Sequence, residues 1–562
     1  MEEGGGAHRR PGRRRRLLTR AAPLVLLAAV AFGVGVLIAG GPGRAEHTLV
    51  TRYVSAWSQG DYTTMYSLLD RASRRQTSEA GFRADYQATA ATGTLMSVSV
   101  VHVGSRQRDL VPVQMRASTR LFGTLSEPLE VPLSGAGSSA RIRFSPLVTF
   151  PGLRPGERLS RRSRLPPRAA LLARDGIPLA RGSTRSSPIP TVATGIVGTL
   201  GPIPAPQSAT YASLGYPATA KVGLNGLEAI FERQLAGTPE ATLLAGSRVL
   251  ARRSALAGHT IRTTITPGIE QAVLTAIAGR YAGMVAMDPR TGAIEGAAGV
   301  AWSAVQPPGS TMKIITSTAA LQARVVNLGT TFPIATAANV GGYTLRNAGG
   351  EACGGTLLNA FAVSCNSVFA PLGVKVGAGR LVAMAERFGF NQPPPFAHAV
   401  ASTIPAAGQI GSATDLGASA IGQARVQATA LEMTDAAAAI AMGGRRPHPT
   451  LLAGPPVFTP VTTRRIAALV EKMMIAVVSY GTGTSAQIPG VKIAGKTGTA
   501  ELRNENSPGA NSPQNSDSWF VGYGPVGDPR IVVGALFPAQ GAGAQTAAPA
   551  VHDVLAAALH GH

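Results

Sequence analysis

The chain has 562 residues and a formal charge of +23, from 52 Lys and Arg against 29 Asp and Glu. That length exceeds what one hydrophobic core supports, so several domains are expected, and an apolar content of 45% excludes a disordered chain. The charge is mostly arginine, there is no zinc-finger spacing and no aromatic-basic stacking motif, so nucleic acid is not the expected partner; an anionic membrane or wall surface is.

At the N-terminus Arg9, Arg10, Arg13, Arg14, Arg15, Arg16 and Arg20 precede an apolar run from Ala21 to Gly40. About 20 apolar residues span a bilayer as a helix. Positive charge before the run and little after it place residues 1–20 in the cytoplasm, make 21–40 a single transmembrane helix, and put the rest outside the cell membrane. A cleaved signal peptide is the alternative. Its apolar part is normally shorter, and no small-x-small cleavage site stands out at Gly40–Ala45.

Residues 46–154 read as a small α+β domain. Leu49, Tyr53 and Trp57, then Met65, Leu68 and Leu69, follow helical spacing, broken at Gly60-Asp61. MSVSVVHVG and VPVQMRAST alternate like strands. Residues 155–257 are loop-rich and carry GLNGLEAIFERQLAG, a short helix with Leu227, Ile230, Phe231 and Leu235 on one face. Residues 258–562 read as a compact catalytic domain. TIRTTIT is an expected strand, IEQAVLTAIAGRY an amphipathic helix, and MVAMDPRTGAIEGAAG a hairpin turning at Asp288–Gly292. PGANSPQNS, Pro508–Ser516, is the one segment that reads as a mobile loop. Cys353 and Cys365 are spaced so that a disulfide is permitted outside the cell, and the sequence leaves their pairing open. No metal-ligand spacing surrounds them.

Three short motifs carry chemistry. Pro307-Pro308-Gly309 ends a loop, and Ser310-Thr311-Met312-Lys313 is expected to open a helix. Ser310 then lies at the positive end of the helix dipole, with Lys313 one turn on and on the same face. A neutral amine beside a hydroxyl can take its proton, and burial near a second cation favours the neutral form. Ser-x-x-Lys alone is weak, since a capping serine with an exposed lysine looks the same. Ser364-Cys365-Asn366 and Lys496-Thr497-Gly498-Thr499 follow it in order. These correspond to the S-x-x-K, S-D-N and K-T-G set of β-lactamases and penicillin-binding proteins, with Cys365 in place of Asp. The Lys496–Thr499 segment is expected as an edge strand. There Gly498 would leave room for a substrate backbone, Thr497 and Thr499 would offer hydroxyls to a carboxylate, and Lys496 would supply charge.

With these residues in place, the chain resembles a class B penicillin-binding protein with an NTF2-like (MecA-like) N-terminal domain. FSPLVTFPGLRPGERL, RAALLARDGIPLA, VGLNGLEAIFERQLAG, QPPGSTMKIIT, AVSCNSVFA, AIGQARVQATALEM, GTGTSA, AGKTGTAE and SWFVGYGP carry the likeness in family order. It departs where the usual Arg-Gly pair reads Arg168-Ala169, where the stretch between Gly299 and Pro307 is short, and at Asp517-Ser518. The resemblance implies a multidomain α+β protein: an NTF2-like domain (46–154), a β-rich dimerisation or pedestal domain (155–257), and a transpeptidase domain (258–562) whose antiparallel sheet is flanked by helices. It implies a serine D,D-transpeptidase that cross-links peptidoglycan stem peptides ending in D-Ala-D-Ala and is trapped by β-lactams. By the same resemblance Ser310 attacks, Lys313 is the base, Ser364 relays the proton, Asn366 orients Lys313 and the substrate amide, and Lys496 tunes the network. Thr497, Gly498 and Thr499 bind substrate, and the N–H groups of Ser310 and Thr499 form the oxyanion hole. No cofactor or metal is implied; a membrane partner that polymerises glycan is.

Two other readings share the motifs. A D,D-carboxypeptidase or β-lactamase passes the acyl group to water, but no motif-placed carboxylate is available as a deacylating base. A non-catalytic β-lactam sensor or divisome scaffold would carry more membrane spans or lack a motif. No His lies in or beside the motifs, which argues against a Ser-His-Asp triad. Asp288, Trp519 and Phe520 are expected to be structural.

Overall fold

The structure, a computed structural model, describes residues 43–502 and 512–560. The expected membrane span Ala21–Gly40 lies outside the described residues, as do residues 508–511 of the expected mobile loop. Pro513–Asn515 form a short 3-10 turn, and Ser516 opens a strand. Among the described residues no single helix is long and apolar enough to cross a membrane.

The chain folds as two compact units. The first holds the described residues up to Leu165 with Pro204–Ala218 and Pro239–Ala255; the second holds Pro166–Ile203, Thr219–Thr238 and everything from Leu256. The contiguous segment 155–257 is therefore shared between both. Strands Leu159–Arg164, Glu240–Ala245 and Arg248–Arg253 make one sheet within the first unit.

The first unit packs helices on a four-stranded antiparallel sheet. Helices Tyr62–Ser67, Arg71–Gln76 and Glu79–Gly93 are each started by a side-chain cap, from Asp61, Asp70 and Ser78. In strand Leu110–Thr119 the residues Val111, Val113, Met115 and Ala117 are buried on alternate positions, so one sheet face meets Tyr53, Trp57, Phe82 and Tyr86 of the helices. The buried Tyr53 and Tyr86 hydroxyls bond each other at 2.7 Å, and Tyr86 also donates to Val148 O at 2.9 Å.

The second unit is built on a five-stranded antiparallel sheet in the order Ala293–Gly299, Gly283–Asp288, Ile531–Phe537, Ser516–Gly524, Ala494–Glu501. The expected hairpin and the expected edge strand are its two ends. These strands are buried nearly throughout because helices cover both faces. Met284, Ala286, Val533, Ala535 and Phe520 enter the cluster of helices Pro267–Ile277 and Ala547–His560. Val285, Met287, Val532, Leu536, Trp519 and Val521 enter the larger cluster of helices Lys313–Gln322, Ala430–Ala441 and Arg464–Ser479. Trp519 and Phe520 are sheet core, on opposite faces.

Local expectations changed in two places. TIRTTIT holds a strand only at Ile261–Arg262, because Thr264 instead ties the chain to Leu451 O and Ile294 O. GLNGLEAIFERQLAG breaks at Phe231 into Gly226–Ile230 and Glu232–Ala236. Leu227, Phe231 and Leu235 are buried as the spacing required.

Candidate active site

Gly309, with φ of 53°, turns the chain in the left-handed region that glycine adopts freely, and a Cβ there would come within 2.6 Å of Thr499 O. Gly309–Met312 is a 3-10 turn, and the α-helix begins only at Lys313. Ser310 therefore stands in a tight turn ahead of the α-helix rather than in its first α turn. The turn is closed by Thr311, whose hydroxyl donates to Pro308 O at 2.7 Å.

Lys313 is fully buried, and its Nζ lies 2.9 Å from Ser310 Oγ, 2.7 Å from Ser364 O, 2.7 Å from Asn366 Oδ1 and 3.3 Å from Ser364 Oγ. Lys496 is equally buried, with Nζ 2.8 Å from Ser364 Oγ and 3.0 Å from Thr497 O. Burial, and then the neighbouring Lys496, push the Lys313 amine well below its usual range; burial brings Lys496 down to about 7. The faces of Phe369 and Phe361 lie 5.4 and 5.5 Å from the two ammonium nitrogens.

A neutral amine, the form that burial favours here, has two N–H donors and one lone pair. Ser364 O and Asn366 Oδ1 can only accept, so they would take both N–H groups and leave the lone pair facing Ser310 Oγ. Ser364 reaches this position with φ of 64°, a left-handed conformation uncommon outside glycine and concentrated at functional sites.

Asn366 heads helix Asn366–Val376, and its Nδ2 donates to Arg346 O at 2.9 Å. Cys365, between the two motif residues, is bonded to Cys353 with the Cα atoms 5.8 Å apart. The pairing that the sequence left open thus ties this motif to strand Cys353–Thr356.

The Lys496–Thr499 segment lies in the edge strand Ala494–Glu501, which among the described residues pairs only with Ser516–Gly524. Thr497 Oγ1 is 2.5 Å from Thr482 Oγ1, and Thr499 Oγ1 accepts from Gly543 N at 3.2 Å. A Cβ at Gly498 would lie 2.8 Å from Pro308 O and 2.8 Å from Trp519 Cβ, so its lack of a side chain lets the turn before Ser310 pack against the strand.

The eight expected residues thus come together from four elements, and the five polar ones of the first two motifs and Lys496 form one continuous network. Sequence reasoning missed Thr482, Asn347 and the carbonyl of Arg346. Thr482 lay inside GTGTSA without a role of its own, and a carbonyl leaves no trace in a sequence. No His takes part in the network.

A buried lysine whose amine is pushed well below its usual range lies 2.9 Å from a serine hydroxyl, beside the edge strand of the sheet. Three family models match in chain order: an NTF2-like N-terminal transpeptidase domain over residues 45–157, a penicillin-binding protein dimerisation domain over 167–249, and a penicillin-binding protein transpeptidase domain over 282–556. The peptidoglycan D,D-transpeptidase PbpA of Mycolicibacterium smegmatis is 33% identical over 430 residues, covering 63% of this chain and 82% of that protein. The D,D-transpeptidase domain of a peptidoglycan glycosyltransferase from Eggerthella lenta superposes with a TM-score of 0.57 at 28% identity, over 70% of this chain and 98% of that one. Penicillin-binding protein A of M. tuberculosis, solved as an imipenem acyl-enzyme, shares the fold with a TM-score of 0.55 at 24% identity, over 70% and 99% of the two chains. The chain belongs to the class B penicillin-binding proteins and is a peptidoglycan D,D-transpeptidase.

Proposed function

We propose that Ser310 is the residue acylated in the D,D-transpeptidase reaction and that Lys313 is its base. The Ser310 proton passes to the Lys313 lone pair as Oγ bonds the penultimate D-Ala carbonyl carbon of a stem peptide. The carbonyl electrons move onto its oxygen, which the N–H groups of Ser310 and Thr499 receive. When they return, the C–N bond breaks, and Ser364 hands a proton from Lys313 to the departing D-Ala nitrogen. An amine of a second stem peptide then attacks the ester; its proton is taken up by the same network and Ser310 regains its own. One amide bond is broken and one is made. Lys496 charge and the Thr497 and Thr499 hydroxyls bind the terminal carboxylate, and Asn366 orients Lys313 and the substrate amide. A β-lactam ring, imitating D-Ala-D-Ala, is opened by Ser310 in the same way; the imipenem complex of the M. tuberculosis relative supports this.

The observation that carries the reading is the 2.9 Å approach of Ser310 Oγ to an amine whose N–H groups face obligate acceptors. The arginine-flanked apolar run Ala21–Gly40 supports a single-pass anchor in the cell membrane, N-terminus cytoplasmic, with the enzyme outside; membership of the class B family supports a glycan-polymerising membrane partner beside it. The test is intact-mass spectrometry of the full chain in detergent with benzylpenicillin. A single lasting adduct on the wild type and none on Ser310→Ala is expected. An adduct that vanishes within seconds would instead mark a hydrolytic enzyme, and an adduct retained by Ser310→Ala would remove Ser310 from the mechanism.

A further inference from the structure

Lys313 serves as a base only while Asn366 presents its oxygen. Were the Asn366 amide turned over, Nδ2 would donate into the Lys313 lone pair and compete with the Ser310 O–H. One contact decides the orientation: Nδ2 lies 2.9 Å from Arg346 O, a carbonyl that can only accept. Arg346 is the last residue of a hairpin, Ala337–Val340 with Tyr343–Arg346, inserted between the first two motifs. The carbonyl is therefore only as well placed as the hairpin stem.

Asn347 holds that stem. It is 6% exposed and uses every polar atom of its side chain. Nδ2 donates to Ala335 O and Glu351 O, both at 2.8 Å, on the two sides of the insertion. Oδ1 accepts from Ser367 N at 2.8 Å, one residue past Asn366 in the helix that carries it. Its own backbone N–H donates to Thr336 O at 2.8 Å. Two donors and one acceptor on a short planar group are what this junction requires. Aspartate keeps the acceptor and lacks both donors, and alanine lacks all three. Asn347 touches neither Ser310 nor Lys313 in this network, so it acts through Asn366.

We propose that Asn347 is a positioning residue for the transpeptidase reaction: by tying the hairpin stem to helix Asn366–Val376 it holds the Asn366 amide in the one orientation that leaves the Lys313 lone pair to Ser310. This rests on the assignment of Lys313 as base. Asn347 governs the acylation step itself, with substrate affinity set elsewhere by the edge strand.

The test is stopped-flow acylation of the full chain in detergent by a fluorescent penicillin. The rate constant per acylatable molecule is separated from the dissociation constant of the preceding complex, and acylatable molecules are counted by intact mass. Asn347→Ala is expected to lower the acylation rate constant by about 10-fold to 100-fold, the usual effect of a small misplacement of reacting groups, with the dissociation constant little changed. Asn347→Asp, which keeps the Ser367 bond, should fall between it and the wild type. Tyr343→Ala, 69% exposed at the hairpin tip, should acylate as the wild type does. The inference is overturned if both Asn347 variants keep the wild-type rate constant per acylatable molecule, including the case where only the acylatable fraction falls. Failure of the wild type to acylate at Ser310 would overturn the assignment beneath it, a result these variants cannot imitate.

Discussion

Arg168, partly buried, and Lys313, fully buried, are both cations of the second unit, and their surroundings differ in kind. Arg168 bonds Glu228 Oε2 at 2.6 Å and Glu232 Oε2 at 2.8 Å, and Arg185 bonds the other Glu228 oxygen at 2.6 Å. Burial works against the Arg168 charge, but the carboxylates of Glu232 and Glu228 outweigh it and hold the guanidinium above its usual value. Around Lys313 the bonded partners are hydroxyls, a carbonyl and an amide, with a second lysine beyond Ser364. Nothing there offsets burial, which pushes the amine well below its usual range. Removal from water thus leaves a cation charged where opposite charges meet it, as in the Arg168 clasp, and drives an amine toward its neutral form where they do not.

The comparison breaks most severely at the clasp. Arg168→Ala leaves Glu232 buried without its cation, and thermal unfolding should report a loss of about 3–5 kcal/mol. Penicillin acylation per folded molecule should remain, since the ion pairs of the clasp include no residue of the serine network. A loss of acylation with unchanged stability would mean that the clasp serves the site.

A carboxylate placed beside Lys313 should make the base resemble the clasp. Asn366→Asp is nearly isosteric, and its charge favours the protonated amine. The Lys313 pKa then rises, so the acidic limb of the acylation–pH profile moves to higher pH. Below that limb the lysine carries a proton and cannot take one from Ser310. At pH 7 a decrease of about 100-fold is expected, within the usual span for general-base loss. An unshifted profile would exclude Lys313 as the group titrating in that limb.

The smallest effect concerns a buried acid that has no cation. Glu270 on helix Pro267–Ile277 accepts from Ala297 N at 2.7 Å, and burial raises its carboxyl to about 8. A folded pKa above the unfolded one gives stability that is complete below about pH 4.5 and is lost as pH rises toward 8. Glu270→Gln should remove that contribution. The variant's chemical-denaturation stability should fall less between pH 5 and pH 8 than the wild type's, by on the order of 2 kcal/mol. Parallel curves for the two proteins would show that Glu270 stays ionised.

Much of the site was legible because three short motifs each carry their chemistry locally. Ser310 and Lys313 are one turn apart on any helical backbone, so their meeting needed no tertiary information. The alternation of strands such as Leu110–Thr119, and the apolar continuity of Ile531–Phe537, likewise announced one-sided and two-sided burial. The short segments were less legible. Phe231 splits an expected helix because Leu227 and Leu235 must reach the same cluster around a bend. Thr264 leaves the expected strand because two carbonyls of the catalytic unit claim it.

The sequence by itself determined the family, the order of its domains and the motifs that hold Ser310, Lys313 and Lys496, because those depend on residue type and on spacing within single elements. The tertiary structure alone decided which way each polar atom faces. It joined Cys353 to Cys365, filled the space beside Gly498 with the turn before Ser310, and set Arg346 O against the Asn366 amide. Those contacts bring together segments far apart in the chain. Their partners include backbone carbonyls that every residue possesses, so no pattern of side chains could have announced them.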